Sequence, residues 1–100
     1  MAPTLTSAQK RYLRGLAHGL KPVVLVGGKG VTDALVAETA GALEIHELIK
    51  VKVAAEDRDA RDLAIGTLVD AVQAALVARI GNVAVLYRPR ADKPLIALPR

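Results

Sequence analysis

Apolar residues recur along this chain with two periods, one of about 3.6 residues that is typical of helices and one of about two residues that is typical of strands. The helical period begins with Leu13, Leu16, Ala17 and Leu20. Thr6 and Gln9 precede this stretch with the spacing of a capping box. The pattern therefore predicts a first helix over about 7–18 with this apolar stripe buried.

Two further helices are predicted downstream. Thr32 is a good N-cap for the second helix, which should end near His46, and Asp57 is the expected N-cap of the third, which should reach about Ala74. The residues expected to be buried by the second helix are Leu35, Val36, Thr39, Ala40 and Leu43. Those expected to be buried by the third helix are Leu63, Leu68, Val69 and Val72.

Strand patterns lie between and after these helices. A short apolar run over 22–26 predicts the first strand. Residues 48–54 alternate between apolar and charged side chains, so Lys50 and Lys52 are expected to share one face of a half-buried strand. The opposite face is expected to carry Ile49, Val51 and Val53.

The last part of the chain predicts a hairpin followed by a tail. Gly81 and Asn82 separate two short apolar runs, which we predict to be strands over about 76–80 and 83–88. Prolines then interrupt regular structure. They leave a basic tail over about 89–100 whose composition allows flexibility.

The element order α-β-α-β-α-β-β predicts an α/β fold, with helices packed on a four-stranded mixed sheet in one layered domain over residues 1–100. A chain of 100 residues can form one core and is too short for a second domain. Its apolar runs are far shorter than the ~20 residues of a membrane helix, and its first ten residues lack a signal-peptide pattern. We therefore expect a cytoplasmic protein with no membrane partner.

Charge is distributed unevenly along the chain. Residues 1–30 carry five Lys or Arg and no acidic residue. Residues 31–80 carry five Lys or Arg and nine acidic residues, and residues 81–100 carry four Lys or Arg and one acidic residue. Basic ends around an acidic middle favour a polyanionic partner, with the acidic helices turned away from it. An ordinary solvated surface is the alternative.

A Gly-x-x-Gly loop, residues 27–30, separates the first strand from the second helix. Glycines at both ends would allow positive φ and close approach of another chain, and the following helix start offers unpaired N–H groups. Lys29 adds a positive charge between the glycines. These features favour a nucleic-acid phosphate as ligand, and a simple strand-to-helix connection is the alternative.

The predicted mode of nucleic-acid binding relies on phosphate contacts. The chain has only Tyr12 and Tyr87 for base stacking, so we expect weakly sequence-specific binding to a structured nucleic acid. Lys50 and Lys52 belong to the binding surface if their sheet face is open, and otherwise are solvated strand residues. The predicted contacts are Lys10, Arg11, Arg14, Lys21, Gly27, Gly28, Lys29, Gly30, Lys50, Lys52 and Arg88.

Patterns for catalysis and cofactors are weak. Lys29 is followed by Gly30 instead of the Ser or Thr of a nucleotide-hydrolysing P-loop, and the third glycine of a dinucleotide motif is missing. Glu44, His46 and Glu47 lie too close in sequence to form a convincing metal site. We therefore predict no catalytic residue, no metal, no cofactor and no small-molecule substrate.

Several segments in a fixed order resemble a known family. The matching segments are GLAH at 15–18, LKPVV at 20–24, the glycine loop at 27–30, ELIKVK at 47–52, EDR at 56–58, VLYRP at 85–89 and LPR at 98–100. On these segments the chain resembles the bacterial YhbY-like proteins, which are single copies of the CRM domain (chloroplast RNA splicing and ribosome maturation). The resemblance spans nearly the whole chain.

The resemblance implies an RNA-binding domain whose fold is similar to the C-terminal domain of translation initiation factor three, with a KH-like loop at Gly27 and Gly30. The family's basic first helix maps onto Lys10, Arg11 and Arg14. Bacterial relatives associate with precursors of the large (50S) ribosomal subunit, so ribosomal RNA is the implied partner and ribosome assembly the implied role. The alternative is a module that docks on ribosomal or translation proteins and uses the loop only as a turn.

Overall fold

Three helices and four strands alternate along the chain in a computed structural model that describes residues 2–55 and 57–99. The helices are α1 (Ser7–Ala17), α2 (Asp33–His46) and α3 (Arg58–Val72). The strands are β1 (Val24–Val26), β2 (Leu48–Val53), β3 (Ala75–Ile80) and β4 (Val83–Tyr87). This order confirms the predicted α/β fold.

The four strands form one mixed sheet in the order β1-β2-β4-β3. β1 lies parallel to β2, with Val24 opposite Val51 and Val26 opposite Val53, while β4 is antiparallel to both of its neighbours. The parallel pair is joined through α2, the crossover that parallel strands require. β1 and β3 are therefore the two edges of the sheet.

The helices begin where the sequence predicts. Thr6 Oγ1 accepts a hydrogen bond from Gln9 N at 3.1 Å and Thr6 N donates to Gln9 Oε1 at 2.9 Å, which confirms the capping box. Thr32 and Asp57 each accept a backbone N–H three residues further on, at the starts of α2 and α3. Local side-chain chemistry thus accounts for all three helix starts.

Both faces of the sheet are covered, by different helices. The core under α2 and α3 includes Val24, Val26, Leu35, Leu43, Ile49, Val51, Val53, Ile65, Leu68, Val72, Ala84 and Leu86. The core under α1 includes Leu13, Ala17, Leu48, Val77, Val85 and Tyr87. Alternate residues of β2 and β4 contribute to the two cores, as expected for a pleated sheet.

Two positions predicted to be buried by the first helix are exposed. α1 buries Leu13 and Ala17, whereas Leu16 and Leu20 are exposed. Leu20 lies beyond the end of α1, so the helical period no longer applies to it. Leu16 lies beside the buried stripe, because α1 contacts the sheet through a narrow face.

Leu63 of α3 was also predicted to be buried, and this prediction is wrong. Its side chain is 73% exposed, whereas Ile65 lies in the core. Two residues correspond to about 200° of rotation around an α-helix, so Leu63 points away from the sheet when Ile65 packs on it.

The segment after β4 is hydrogen-bonded to the end of α2 through Glu47. This residue is fully buried and has φ +63°. Its carboxylate accepts hydrogen bonds from Arg90 N at 2.6 Å, Leu95 N at 2.7 Å and Ile96 N at 2.8 Å. These three donors offset the cost of burying the carboxylate and tie the tail to the domain.

Candidate nucleic-acid interface

The glycine loop forms a tight turn at the carboxyl end of β1. Gly30 N donates to Gly27 O at 3.0 Å. Gly30 has φ +72°, whereas Gly27 does not have positive φ, so only one of the two end glycines uses the left-handed conformation that both would allow. A Cβ atom built on Gly27 or Gly28 would meet nothing within 4 Å. The backbone of the turn is therefore open to close approach by a ligand.

Charges around the turn favour its tip over the start of α2 as the anion site. Lys29 is exposed at the tip. Thr32 Oγ1 already accepts from Leu35 N, and Asp33 places an exposed carboxylate in the first turn of α2. That carboxylate opposes an anion at the helix start, so the turn amides and Lys29 are the better phosphate donors.

The predicted cationic residues of α1 line the surface beside the edge strand β3. Ser7 and Val77 border a shallow depression that continues past Gly15 and His18 to Ile80. The cations along this depression are Lys10, Arg11 and Arg14, all exposed. The depression thus combines positive charge with an apolar floor.

Lys50 and Lys52 share the sheet face on which α1 packs. Leu48, two residues before Lys50, lies in the core under α1, and strand alternation places both lysines on that side. Lys52 is exposed and Lys50 is partly buried. The sheet face is therefore open at Lys52 and partly covered at Lys50.

The two remaining predicted contacts lie outside the strand and helix faces described above. Lys21 is exposed in the connection between α1 and β1. Arg88 follows β4 at the opposite end of the sheet from the glycine loop. Its Nη1 donates to Val72 O at 2.8 Å, and its Nη2 lies 3.0 Å from Glu44 Oε2. Arg88 thus joins the carboxyl-terminal parts of α2 and α3.

The two faces of the sheet carry opposite charge. α1 has three cationic residues and no acidic residue. On the other face, α2 and α3 have six acidic residues and two arginines. Two of these acids are paired, Asp62 with Arg79 at 2.8 Å and Glu44 with Arg88. An anionic ligand is therefore favoured on the α1 face and opposed on the α2–α3 face.

Only one of the two aromatic rings is accessible. Tyr12 is exposed on α1, whereas Tyr87 is 2% exposed. Burial, and secondarily the Glu47 carboxylate, raises the pKa of Tyr87 above its usual 10.0. The Tyr87 hydroxyl therefore stays neutral inside the core, and the surface offers little aromatic stacking.

Val23 and Leu25 were not included in the predicted site, yet both are exposed, and Leu25 lies on the α1 face of the sheet. Leu25 lies between Val24 and Val26, which are buried on the opposite face. The sequence signal was the position of Leu25 within the first strand, since alternate strand residues point to opposite faces. Its link to the predicted site becomes visible only once the strand register is known, because that register places Leu25 opposite Lys52.

The two acidic residues considered for metal binding have other partners. Glu44 pairs with Arg88, and the Glu47 carboxylate is occupied by the tail amides. Within residues 2–55 and 57–99, no three His, Asp or Glu side chains come together in a way that could hold a metal ion. In the same part of the chain, no helix is both long and apolar enough to cross a membrane.

Most of the chain matches a known protein family. The CRS1/YhbY (CRM) domain model matches residues 5–88. The chain belongs to the CRM domain family. The resemblance indicated by the sequence segments is thereby confirmed.

Individual CRM relatives match nearly the full length of the chain. A Haemophilus influenzae protein named "RNA-binding protein" is 50% identical over 97 residues, which cover 97% of each chain. The Bacillus subtilis "Probable RNA-binding protein YqeI" is 44% identical over 96 residues, covering 95% of this chain and 99% of the relative. The solution structure of the Staphylococcus aureus hypothetical protein SAV1595, a candidate RNA-binding protein, has a TM-score of 0.83 and 38% identity and covers 96% of this chain and 100% of that one.

Proposed function

We propose that this CRM-domain protein is a non-enzymatic RNA-binding protein that associates with ribosomal RNA in large-subunit precursors in the cytoplasm and assists ribosome assembly. The observation that carries the proposal is the cationic face that α1 forms on one side of the sheet, together with an exposed glycine turn at the end of β1. The names of the relatives support RNA as the polyanion. The family resemblance supports the large-subunit precursor.

In this proposal the glycine turn and α1 hold different parts of one RNA. The turn follows the edge strand β1, and the depression along α1 lies beside β3, the other edge strand. Four strands at about 4.8 Å spacing place these edges roughly 14 Å apart. The RNA must therefore span the sheet, with amides of the turn and Lys29 on one phosphate group and the cations of α1 on others.

Charge and composition define what such binding can achieve. One exposed aromatic ring cannot read many bases, so affinity comes chiefly from phosphates and binding depends on RNA shape. The acidic residues of α2 and α3 repel RNA, so the proposal restricts the RNA to the α1 face and the tip of the glycine turn. Binding of this kind would hold a folded RNA region in place during assembly without chemistry on it.

A binding experiment on the glycine turn tests the proposed mode. The Gly28→Asp/Lys29→Asp variant places carboxylates where phosphates should lie and keeps Gly30. The matched control is Gly66→Asp/Arg58→Asp on α3, because it makes the same charge change at an open glycine and an exposed arginine. Affinity for ribosomal RNA fragments is measured by fluorescence anisotropy at several salt concentrations.

We expect the turn variant to bind at least about tenfold more weakly, with the salt slope reduced by about 0.7 for each phosphate that the turn no longer binds. The control should bind nearly as well as the wild type. Equal affinity of the two variants, with both folded by circular dichroism, would show that the turn does not hold RNA.

A second experiment tests the role in assembly. Tagged protein in a bacterial lysate is followed through a sucrose gradient that separates large-subunit precursors from mature subunits. The proposal expects the protein in the precursor fractions and expects the turn variant to leave them. Wild-type protein that stays at the top of the gradient at low salt would contradict the ribosomal role.

A further inference from the structure

Three residues of the α1 face, together with Val23 just before β1, form a small surface, which we call the β1–β2 patch: Val23, Leu25, Lys50 and Lys52. Leu25 lies opposite Lys52 in the parallel ladder, and Val23 N donates to Lys50 O at 3.0 Å. Val23 is 51% exposed and Leu25 is 58% exposed. Two aliphatic side chains, one just before β1 and one within it, thus lie beside two amines on β2.

The helix on this face leaves the patch uncovered. α1 packs on β2, β3 and β4 through Leu13 and Ala17, and the core beneath it includes no residue of β1. Lys52 remains exposed and Lys50 is partly buried. The patch therefore lies beside α1, on the same cationic face.

The apolar half of the patch is unusual for a solvated strand face. Single exposed leucines are common on proteins and need no explanation. Here, however, the exposed residues on either side of Val24, which are Val23 and Leu25, are both aliphatic. Polar residues would be expected on a strand face that is open to water. Val23 and Leu25 also lie immediately before the glycine turn, since Leu25 and Gly27 are about 7 Å apart along an extended chain.

We propose that the β1–β2 patch binds an unpaired segment of the RNA whose backbone is held at the glycine turn. Val23 and Leu25 contact the faces of unstacked bases, and Lys50 and Lys52 contact the neighbouring phosphates. The inference rests on the proposed function and adds to it that the RNA is single-stranded at this point. Bases inside a duplex are stacked on each other and cannot offer their faces to aliphatic side chains.

The composition of the patch favours RNA over a protein partner. A partner here must tolerate Lys50 and Lys52 and, next to them, the cations of α1, so it should be anionic. The apolar part consists of Val23 and Leu25, with the exposed Leu20 beside Val23. These side chains amount to far less than the roughly 800 Å² per partner that a stable protein interface buries. Phosphates alternating with flat bases match both halves of the patch.

The experiment compares two RNAs of equal length, an oligouridylate strand and a fully paired duplex. Leu25→Thr removes apolar area and keeps a strand-favouring side chain. The control is Leu63→Thr, the same substitution at a 73% exposed leucine on the acidic α3. Affinities are measured by anisotropy at several salt concentrations, and folding is checked by circular dichroism.

We expect Leu25→Thr to weaken single-strand binding about three- to tenfold, the effect of removing one aliphatic side chain that the RNA would cover. Its salt slope should be unchanged, because no charge is removed, and its duplex affinity should equal that of the wild type. Lys52→Gln should instead lower the single-strand slope by about 0.7. The Leu63→Thr control should behave as the wild type with both RNAs.

Three results would overturn the inference. Leu25→Thr could bind the single strand as tightly as Leu63→Thr does, or it could lose the same factor on both RNAs. Alternatively, sedimentation could show that the wild type self-associates and that Leu25→Thr does not, which would make the patch a protein interface. If the wild type bound neither RNA, the proposed function itself would fail and this inference with it.

Discussion

The Glu47 carboxylate accepts a hydrogen bond from the Arg90 backbone N–H at 2.6 Å and so joins the end of α2 to a tail 43 residues further along the chain. Leu95 N and Ile96 N donate to the other carboxylate oxygen. The tail in turn places Ile96 and Leu98 against the core under α1. One buried carboxylate thus anchors the segment that packs against this end of the core under α1.

Replacing Glu47 with Gln should destabilise the domain strongly. The amide group of Gln presents N–H donors to backbone N–H groups that need acceptors, so at least one buried donor loses its partner. We expect a loss of about 2–4 kcal/mol in the free energy of unfolding, measured by urea denaturation. Glu38→Gln on the exposed side of α2 is the control, and a loss no larger than its own would contradict this role of Glu47.

Arg88 should contribute to stability more than to RNA binding. Its guanidinium bonds Val72 O, Ala40 O and Glu44 at the opposite end of the sheet from the glycine turn. Arg88→Gln should lower the melting temperature by about 4–8 °C, which corresponds to about 1 kcal/mol in a domain of this size. Affinity for ribosomal RNA fragments, measured below the transition, should stay within about twofold of the wild type. A large loss of affinity with an unchanged melting temperature would place Arg88 on the RNA surface instead.

Features that depend on neighbouring residues were predictable from the sequence. Two examples are the capping box at Thr6 and Gln9 and the alternation that places Lys50 and Lys52 on one face of β2. Both are local patterns with a local physical cause. The order of the elements followed from these patterns. The family resemblance added the fold that joins them.

Features that depend on distant contacts were not predictable in this way. Nothing near Glu47 in the sequence indicates that its carboxylate binds amides of residues 90–96. Leu63 is apolar within a helical pattern, and only the packing of α3 on the sheet shows that it points outward. The geometry of the candidate site could not be predicted for the same reason. The distance between the glycine turn and α1 depends on the strand order β1-β2-β4-β3.

The two outer glycines of the turn should respond differently to alanine. Gly30 has φ +72°, where an L side chain is strained, whereas Gly27 has no positive φ and open space around it. Gly30→Ala should therefore cost about 1–2 kcal/mol of stability, and Gly27→Ala less than about 0.5 kcal/mol. Urea denaturation of both variants checks the difference. Equal losses would mean that the turn does not require a left-handed residue at position 30.

The last prediction concerns Tyr87 at alkaline pH. Burial, and then the Glu47 carboxylate, raises the pKa of Tyr87 in the folded state above the 10.0 that applies when the chain is unfolded. Above pH 10 the unfolded chain loses this proton while the folded domain keeps it. Because stability falls with pH wherever the unfolded state binds fewer protons, the contribution of Tyr87 is complete below about pH 10 and is lost as pH rises through the folded-state pKa.

The Tyr87→Phe variant isolates this contribution, because every other ionisable group of the chain is the same in the variant and the wild type. Between about pH 9 and 11, the free energy of unfolding should fall less steeply for Tyr87→Phe than for the wild type. Tyr12→Phe, at an exposed ring, should follow the wild-type curve. Parallel curves for all three proteins would mean that the Tyr87 hydroxyl ionises as easily in the folded domain as in the unfolded chain, which its burial beside Glu47 opposes.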